Sequence, residues 1–181
     1  MIKSLVDVII DPGHGGKDNG AQWGYVDEKD LNLLIARELA DTLKGLGFGT
    51  MLTRVDDYTV TLKERVAIVN TLNARAFISI HCDAYHNTTA SGMSVHVCPG
   101  SPKGRDLGGH IQKGLMSAFP GHYHRGVIES DFYVLKKTRM PAALVECEFL
   151  SNPTTRAFLR DPAHQSELAL AIAGGVLGVG L

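Results

Sequence analysis

Hydrophobic positions along the chain switch repeatedly between strand-like and helix-like spacing. Leu5 to Ile10 is a short apolar, β-branched run closed by Asp11-Pro12-Gly13, which reads as a buried strand entering a turn. From Asp30 to Leu46 the apolar residues recur at Leu31, Leu34, Ile35, Leu39 and Leu43, with Gly45 and Gly47 as stop signals, the pattern of a helix. Phe48 to Thr53 reads as a strand. Thr61 and Glu64 form a capping-box pair that opens a helix through about Leu72. Ala76 to Ile80 and Met93 to Val97 read as strands, Leu107 to Phe119 as a helix, Phe132 to Leu135 as a weaker strand, and Ala142 to Val145 as a further strand. Asn152 before Pro153 is an N-cap with proline at the first helical position, and a last helix spans about His164 to Leu177. This alternation predicts an α/β fold, a single three-layer domain with a twisted, mostly parallel central sheet of about six strands flanked by helices.

Composition narrows what such a domain does. The 181 residues suit one domain covering 1–181, with no repeat, linker or low-complexity block to divide it. Lys plus Arg number 18 and Asp plus Glu 19, so the net charge of -1 offers no basic field for nucleic acid or anionic lipid, and neither is expected as a partner. Cys82, Cys98 and Cys147 have no CxxC spacing and read as packed thiols. The opening MIKSLVDVIIDPGHGG has too short an apolar run for a secretion signal, and the closing LALAIAGGVLGVGL is broken by a glycine pair, so it reads as a packed helix end. The less ordinary counts are 20 Gly and 8 His.

In open parallel sheets, ligands bind outside the carboxyl ends of the strands. The first strand is followed by DPGHGG with His14, the Phe77–Ile80 run by His81, and the Ala143–Val145 run by Glu146. Glu28 stands where the first helix begins, near the same edge. Alone, each has an ordinary explanation, a hydrogen-bonded loop histidine or an acid favoured by the helix dipole. Together they give two imidazoles and two carboxylates. Two imidazoles and one carboxylate leave zinc an open fourth position, and a second carboxylate beside it can act as general base. A dinucleotide loop is disfavoured, because Asp18 stands where the fingerprint needs glycine.

The segments VIIDPGHGGKDNGA, Glu28, LTRVDD with LKERVAIVN, FISIHCDA, RGVIESDFYVLKKTRMPAALVE and FLSNP, in this order, resemble the zinc-dependent N-acetylmuramoyl-L-alanine amidases of the Amidase_3 type, which include phage endolysin and bacterial cell-wall amidase domains. The resemblance implies Zn2+ held by His14, Glu28 and His81, with Glu146 as the catalytic carboxylate. It implies peptidoglycan as substrate, cut between N-acetylmuramic acid and the L-Ala of the stem peptide. Thr53, Arg54, Arg65 and Asn70 match further family positions and are assigned to packing and loop support. Asp11 and Asp83 are candidates for holding a ligand imidazole in its tautomer. Glu148 departs from the small residue usual in the family, and solvent or substrate contact is expected of it. The remaining histidines, His86, His96, His110, His122, His124 and His164, are expected mostly at the surface.

Some relatives carry an inserted helix that plugs the metal site after the strand following the SIH motif. Here Val97 passes quickly to the Leu107 helix, so a site open without an activator is expected. The rival readings are a zinc peptidase or deacylase on the same scaffold, and a wall-binding module without catalysis. The chain is expected to be a monomer, made in the cytoplasm without a signal peptide and acting on the wall after release, as a phage lysin or a mother-cell enzyme. A longer parent protein carrying a wall-binding domain fits the same reading.

Overall fold

The computed structural model describes residues 6–180. In chain order the elements are β1 (Val8–Pro12), the short strands β2 (Gln22–Trp23) and β3 (Val26–Asp27), α1 (Glu28–Gly45), β4 (Thr50–Leu52), α2 (Leu62–Thr71), β5 (Ala76–Asp83), β6 (Met93–Val97), α3 (Pro102–Ala118), β7 (His124–Glu129), α4 (Tyr133–Lys137), β8 (Ala142–Phe149), α5 (Pro153–Arg160) and α6 (Pro162–Gly178). Six strands form one sheet in the order β4-β1-β5-β8-β6-β7, and β2 and β3 form a separate hairpin. All neighbours are parallel except β6 and β8, so β6 and β7 run against the other four strands.

Side-chain alternation divides the sheet between two cores. Val8, Ile10, Ile78, Ile80, Val95 and Val145 point to one face, where Leu39 of α1, Ile111 of α3 and Ile172 of α6 complete the larger core. Ile9, Phe77 and Leu144 point to the other, covered more thinly by Val69 of α2 and by Val134 and Leu135 of α4. Each buried branched side chain contributes about 1.5–3 kcal/mol. The glycine pair of α6 has a packing reason at its second member. A Cβ on Gly175 would lie 2.4 Å from the Ile111 Cα, so α6 approaches α3 more closely than any side chain there permits. The Thr61–Glu64 capping box closes α2 reciprocally, with the Glu64 N–H donating to Thr61 Oγ at 3.3 Å and the Thr61 N–H to Glu64 Oε2 at 2.8 Å.

Several elements differ from the sequence pattern. Phe132 to Leu135, expected as a strand, caps and opens the short helix α4. One helical turn lets Val134 and Leu135 enter the thin core while Phe132 and Tyr133 face outward. The strand β7 falls in the polar stretch His124-Arg125-Gly126, and as an edge strand it needs no apolar run. The part of the Leu5–Ile10 strand before Val6 lies outside the described residues. The direction of β6 also changes the expectation about a plugging insertion. Val97 pairs with Ala143 at the start of β8 and Ser94 with Glu146 farther along it. The segment after Val97 therefore leaves from the edge opposite Glu146, and its length has no bearing on cover over the predicted site. The segment from Ala84 to Gly92, which joins β5 to β6, runs along the edge that carries His81 and Glu146.

Candidate metal centre

Strand register brings the predicted residues together. Pro12, the last residue of β1, pairs with Ile80 on β5, so the chain turns off β1 into Gly13-His14 beside His81. His81 in turn stands directly opposite Glu146 on β8. Glu28 arrives from the other side, in the first turn of α1 behind the β2–β3 hairpin. Its N–H donates to Ala21 O at 2.9 Å, and the Ala21 N–H returns a bond to Glu28 Oε2 at 2.8 Å.

The buried Glu28 carboxylate lies between two imidazoles, with Oε1 2.9 Å from His81 Nδ1 and Oε2 3.1 Å from His14 Nε2. One donor atom from each of these three residues lies within 4.8 Å of the others. Burial alone would raise the Glu28 pKa, but hydrogen bonds from His14 and His81 hold the carboxyl well below the usual range. Burial likewise opposes protonation of His14, and Glu28 and Asp18 outweigh it, so its pKa is pushed up to about 9. Glu146 responds in the opposite sense. Burial, reinforced by the charges of Asp83 and Glu28 and opposed by His81 and Arg125, pushes its pKa up to about 7.

Two buried guanidinium groups shape the loop that presents His14. Arg54 donates to Pro12 O at 3.0 Å, Gly13 O at 2.9 Å and Lys29 O at 2.7 Å. Arg65 donates to Pro12 O at 2.7 Å, to His14 O, and to Asp11 Oδ1. These bonds consume the carbonyls of a backbone that takes φ 61° at His14, a left-handed conformation unfavourable for a residue with a Cβ. Gly13 is required for a different reason: a Cβ there would lie 2.2 Å from His81 Cε1.

The expected supporting carboxylates bond elsewhere. Asp11 lies beneath the loop, accepting from Arg65, from Thr53 Oγ and, at 2.8 Å, from Ser79 Oγ, and it touches no imidazole. Asp83 accepts from Arg125 at 2.7 Å and from the Ala84 N–H at 2.8 Å. Asp18 does what was expected of them, with Oδ2 2.9 Å from His14 Nδ1. The signal was in GHGGKDNG, a glycine-rich turn that brings an acid back to the histidine, closed by paired backbone bonds between Gly15 and Asp18. Glu148 reaches neither solvent nor the cleft. It is 1 % exposed, accepts from the N–H groups of Gly92 and Phe149, and lies 3.1 Å from His122 Nδ1, past a ladder irregularity that offsets it from the Glu146 position. Of the remaining histidines only His86 is well exposed; His96 is buried, and His110, His122, His124 and His164 are half-buried. Cys82 and Cys147 are buried thiols and Cys98 is half-buried, all unpaired.

A cleft of about 570 Å³ opens over the cluster. His14, His81 and Glu146 line it together with the apolar side chains of Val60, Leu62, Phe132, Tyr133 and Val134. Glu146 Oε2 is buried with no hydrogen-bond partner among the described residues. Two imidazole nitrogens and a carboxylate oxygen converging at the floor of a cleft, with a second carboxylate of raised pKa beside them, suit a metal with an open position next to a general base.

Comparison with known proteins gives the family. A family model described as N-acetylmuramoyl-L-alanine amidase matches residues 8–177. Among curated sequences, the uncharacterized protein YqiI of Bacillus subtilis is 37% identical over 171 residues, covering 93% of this chain and 82% of that protein. The probable cell wall amidase LytH of Staphylococcus aureus is 36% identical over 175 residues, covering 93% of this chain and 56% of that protein, so the chain spans little more than half of LytH. Among solved structures, N-acetylmuramoyl-L-alanine amidase AmiC2 of Nostoc punctiforme superposes with a TM-score of 0.90 at 35% identity, over 96% of each chain.

Proposed function

Because the chain belongs to the N-acetylmuramoyl-L-alanine amidase family of peptidoglycan hydrolases, we propose that His14, Glu28 and His81 hold a zinc ion and that Glu146 moves the proton during amide cleavage. The observation that carries this reading is the convergence of three donor atoms within 4.8 Å, with Glu146 standing opposite one of their owners on the neighbouring strand. Zinc, when bound, polarises the carbonyl under attack and lowers the pKa of water from about 15.7 to about 7.

The protein's own groups account for the remaining steps. Asp18 orients the His14 ring through Nδ1, leaving Nε2 for the metal. Glu146, with a pKa of about 7, takes the proton of the attacking water and returns it to the L-Ala nitrogen as the bond to the lactyl carbonyl breaks. The apolar lining of Leu62, Phe132 and Tyr133 gives non-reacting parts of the substrate a packing surface in the cleft. The side chains of His14 and His81 are 24% and 19% exposed, so substrate can reach the site. Among the described residues no helix is long and apolar enough to cross a membrane.

Purified protein incubated with cell walls should release new L-Ala amino termini and free muramic acid lactyl groups. Replacement Glu146→Ala should leave zinc content and thermal midpoint unchanged while abolishing release. An unchanged rate would falsify the role of Glu146, and new termini at any other residue would point to a peptidase.

A further inference from the structure

The segment from Ala84 to Gly92 runs along the edge that carries His81 and Glu146, and the steps above make no use of it. Its backbone is pinned at both ends. The Ala84 N–H donates to Asp83 Oδ1 at 2.8 Å, and the Tyr85 N–H to Ser151 Oγ at 3.0 Å. At the far end the Gly92 N–H donates to Glu148 Oε2 at 2.7 Å, while the Ala90 and Gly92 carbonyls accept from Asn152 Nδ2 and Arg125 Nε, each at 3.1 Å. Between them Asn87 closes a turn, its side chain accepting from the Thr89 N–H at 3.0 Å and its carbonyl from the Ala90 N–H at 3.1 Å. The buried Glu148 carboxylate is thus one of the anchors of this segment.

What the pinned backbone presents to solvent is aromatic. Tyr85 is 52% exposed, and its ring centroid lies 4.0 Å from that of the exposed His86. Among the described residues nothing bonds the Tyr85 hydroxyl or either ring nitrogen of His86. Tyr58, which is also exposed, differs in this respect, since its hydroxyl accepts from the Val55 N–H at 3.3 Å. Tyr85 is four residues beyond His81, which limits their separation to about 14 Å even for an extended chain. A substrate held at His81 that continues past the cleft along this edge therefore meets the ring pair.

We infer that Tyr85, held beside His86, is a sugar-stacking residue that takes the glycan chain of the substrate outside the cleft. A pyranose ring has an apolar C–H face and a rim of hydroxyl and acetamido groups, which matches an exposed aromatic face with unspent polar ends. The peptide arm of the substrate is matched poorly. An extended peptide is bound through main-chain hydrogen bonds, and the N–H groups of Ala84, Tyr85, Thr89, Ala90 and Gly92 are already spent on holding the segment. Because the backbone is fixed before substrate arrives, little ordering cost is left for binding. This inference rests on peptidoglycan being the substrate.

The test uses zinc-loaded protein and two soluble substrates, a muramoyl peptide with a single sugar and the same peptide on a longer glycan chain. The ratio of kcat/KM on the long substrate to that on the short one cancels any general damage to the site. In Tyr85→Ala this ratio should fall by about fivefold to twentyfold, with the loss carried by KM, because stacking serves the ground and transition states alike. Tyr85→Phe, which keeps the ring face, should retain at least half of the wild-type ratio. A glycan without peptides, which cannot be cleaved, should shift the Tyr85 and His86 ring resonances in NMR titrations and leave those of Tyr25, exposed on the β2–β3 hairpin, in place. The inference is overturned by an unchanged ratio in Tyr85→Ala, by a Tyr85→Phe ratio as low as that of Tyr85→Ala, or by Tyr85 and His86 resonances that do not move. The titration does not depend on turnover, so the two levels separate. An active Glu146→Gln beside shifted rings removes the reading of the metal site alone, whereas unmoved rings beside normal amidase products remove this inference alone.

Discussion

A single methyl group added at Gly13 should disable the metal site without disturbing the fold. Gly13 is outside the left-handed region, so alanine meets no backbone strain there, unlike at Gly15 or Gly16. Its Cβ, however, would lie 2.2 Å from His81 Cε1 and 2.3 Å from Nε2. Carbon atoms in contact sit about 3.5–4.0 Å apart, so the ring or the loop must retreat by roughly 1.3 Å or more. The loop cannot retreat easily, because the Gly13 carbonyl is held by Arg54 at 2.9 Å and its N–H by Ile80 O at 3.0 Å. The His81 ring must therefore yield, leaving its 2.9 Å contact with Glu28. A displacement of about 1 Å at a reacting centre costs on the order of a hundredfold in rate, and disturbance of ligand orientation costs about 10–100-fold in metal affinity. Zinc affinity by chelator competition and turnover on purified walls should both fall by that order in Gly13→Ala, while the far-ultraviolet circular dichroism stays that of wild type. Gly109→Ala on α3, where an added Cβ meets nothing within 4 Å, is the matched control and should keep full activity. A Gly13→Ala protein with wild-type zinc affinity and turnover would show that His81 is not held where the reasoning needs it.

Two further outcomes follow from the charges around the site. In metal-free protein the His14 pKa of about 9 exceeds its ordinary 6.5, so its contribution to stability is complete below about 6.5 and is lost as pH rises through about 9; Glu28, held low, contributes above about 4.5 and loses its contribution as pH falls. The stability difference between wild type and His14→Gln, measured by denaturant titration with chelator present, should therefore shrink between pH 6.5 and 9, and zinc binding at pH 7 should release about one proton into weak buffer; a constant difference, or no proton release, contradicts the charge state assigned to His14. Replacing Arg65 by Met leaves Asp11 buried without its main charge partner, a change that typically costs about 3–5 kcal/mol, and the loss should show as a lower denaturant midpoint even in zinc-free protein; an unchanged midpoint would mean that the loop does not depend on this pair.

The four central residues were legible because each stands where an apolar run stops or a helix begins. His81 and Glu146 follow runs of buried strand residues, and a polar side chain in that position needs a reason. What local pattern does not contain is the partner. Asp11 and Asp83 were chosen for their closeness in sequence to the histidines, yet a buried guanidinium claims the first and a half-buried one the second, Arg65 arriving from α2 and Arg125 from β7. Asp18 was overlooked because its contact with His14 depends on a turn in left-handed backbone. Glu148 follows the alternation that places Glu146 in the cleft, and only the irregular ladder after His81 shows that the two do not share an environment. The direction of β6 is set by pairing with a strand some fifty residues later, which no local spacing encodes.

That reversed pair of strands also separates the molecule into an edge for chemistry and an edge for attachment. The short connection from Cys98 to Ser101 leaves β6 beside Ala143, at the opposite end of the β6–β8 ladder from Glu146, and runs straight into α3. Cargo grafted there, whether a fluorophore, a surface tether or a second folded module, would hang from the strand ends opposite those that carry His81 and Glu146. The enzyme could thus be immobilised or fused at mid-chain with its cleft still facing the wall.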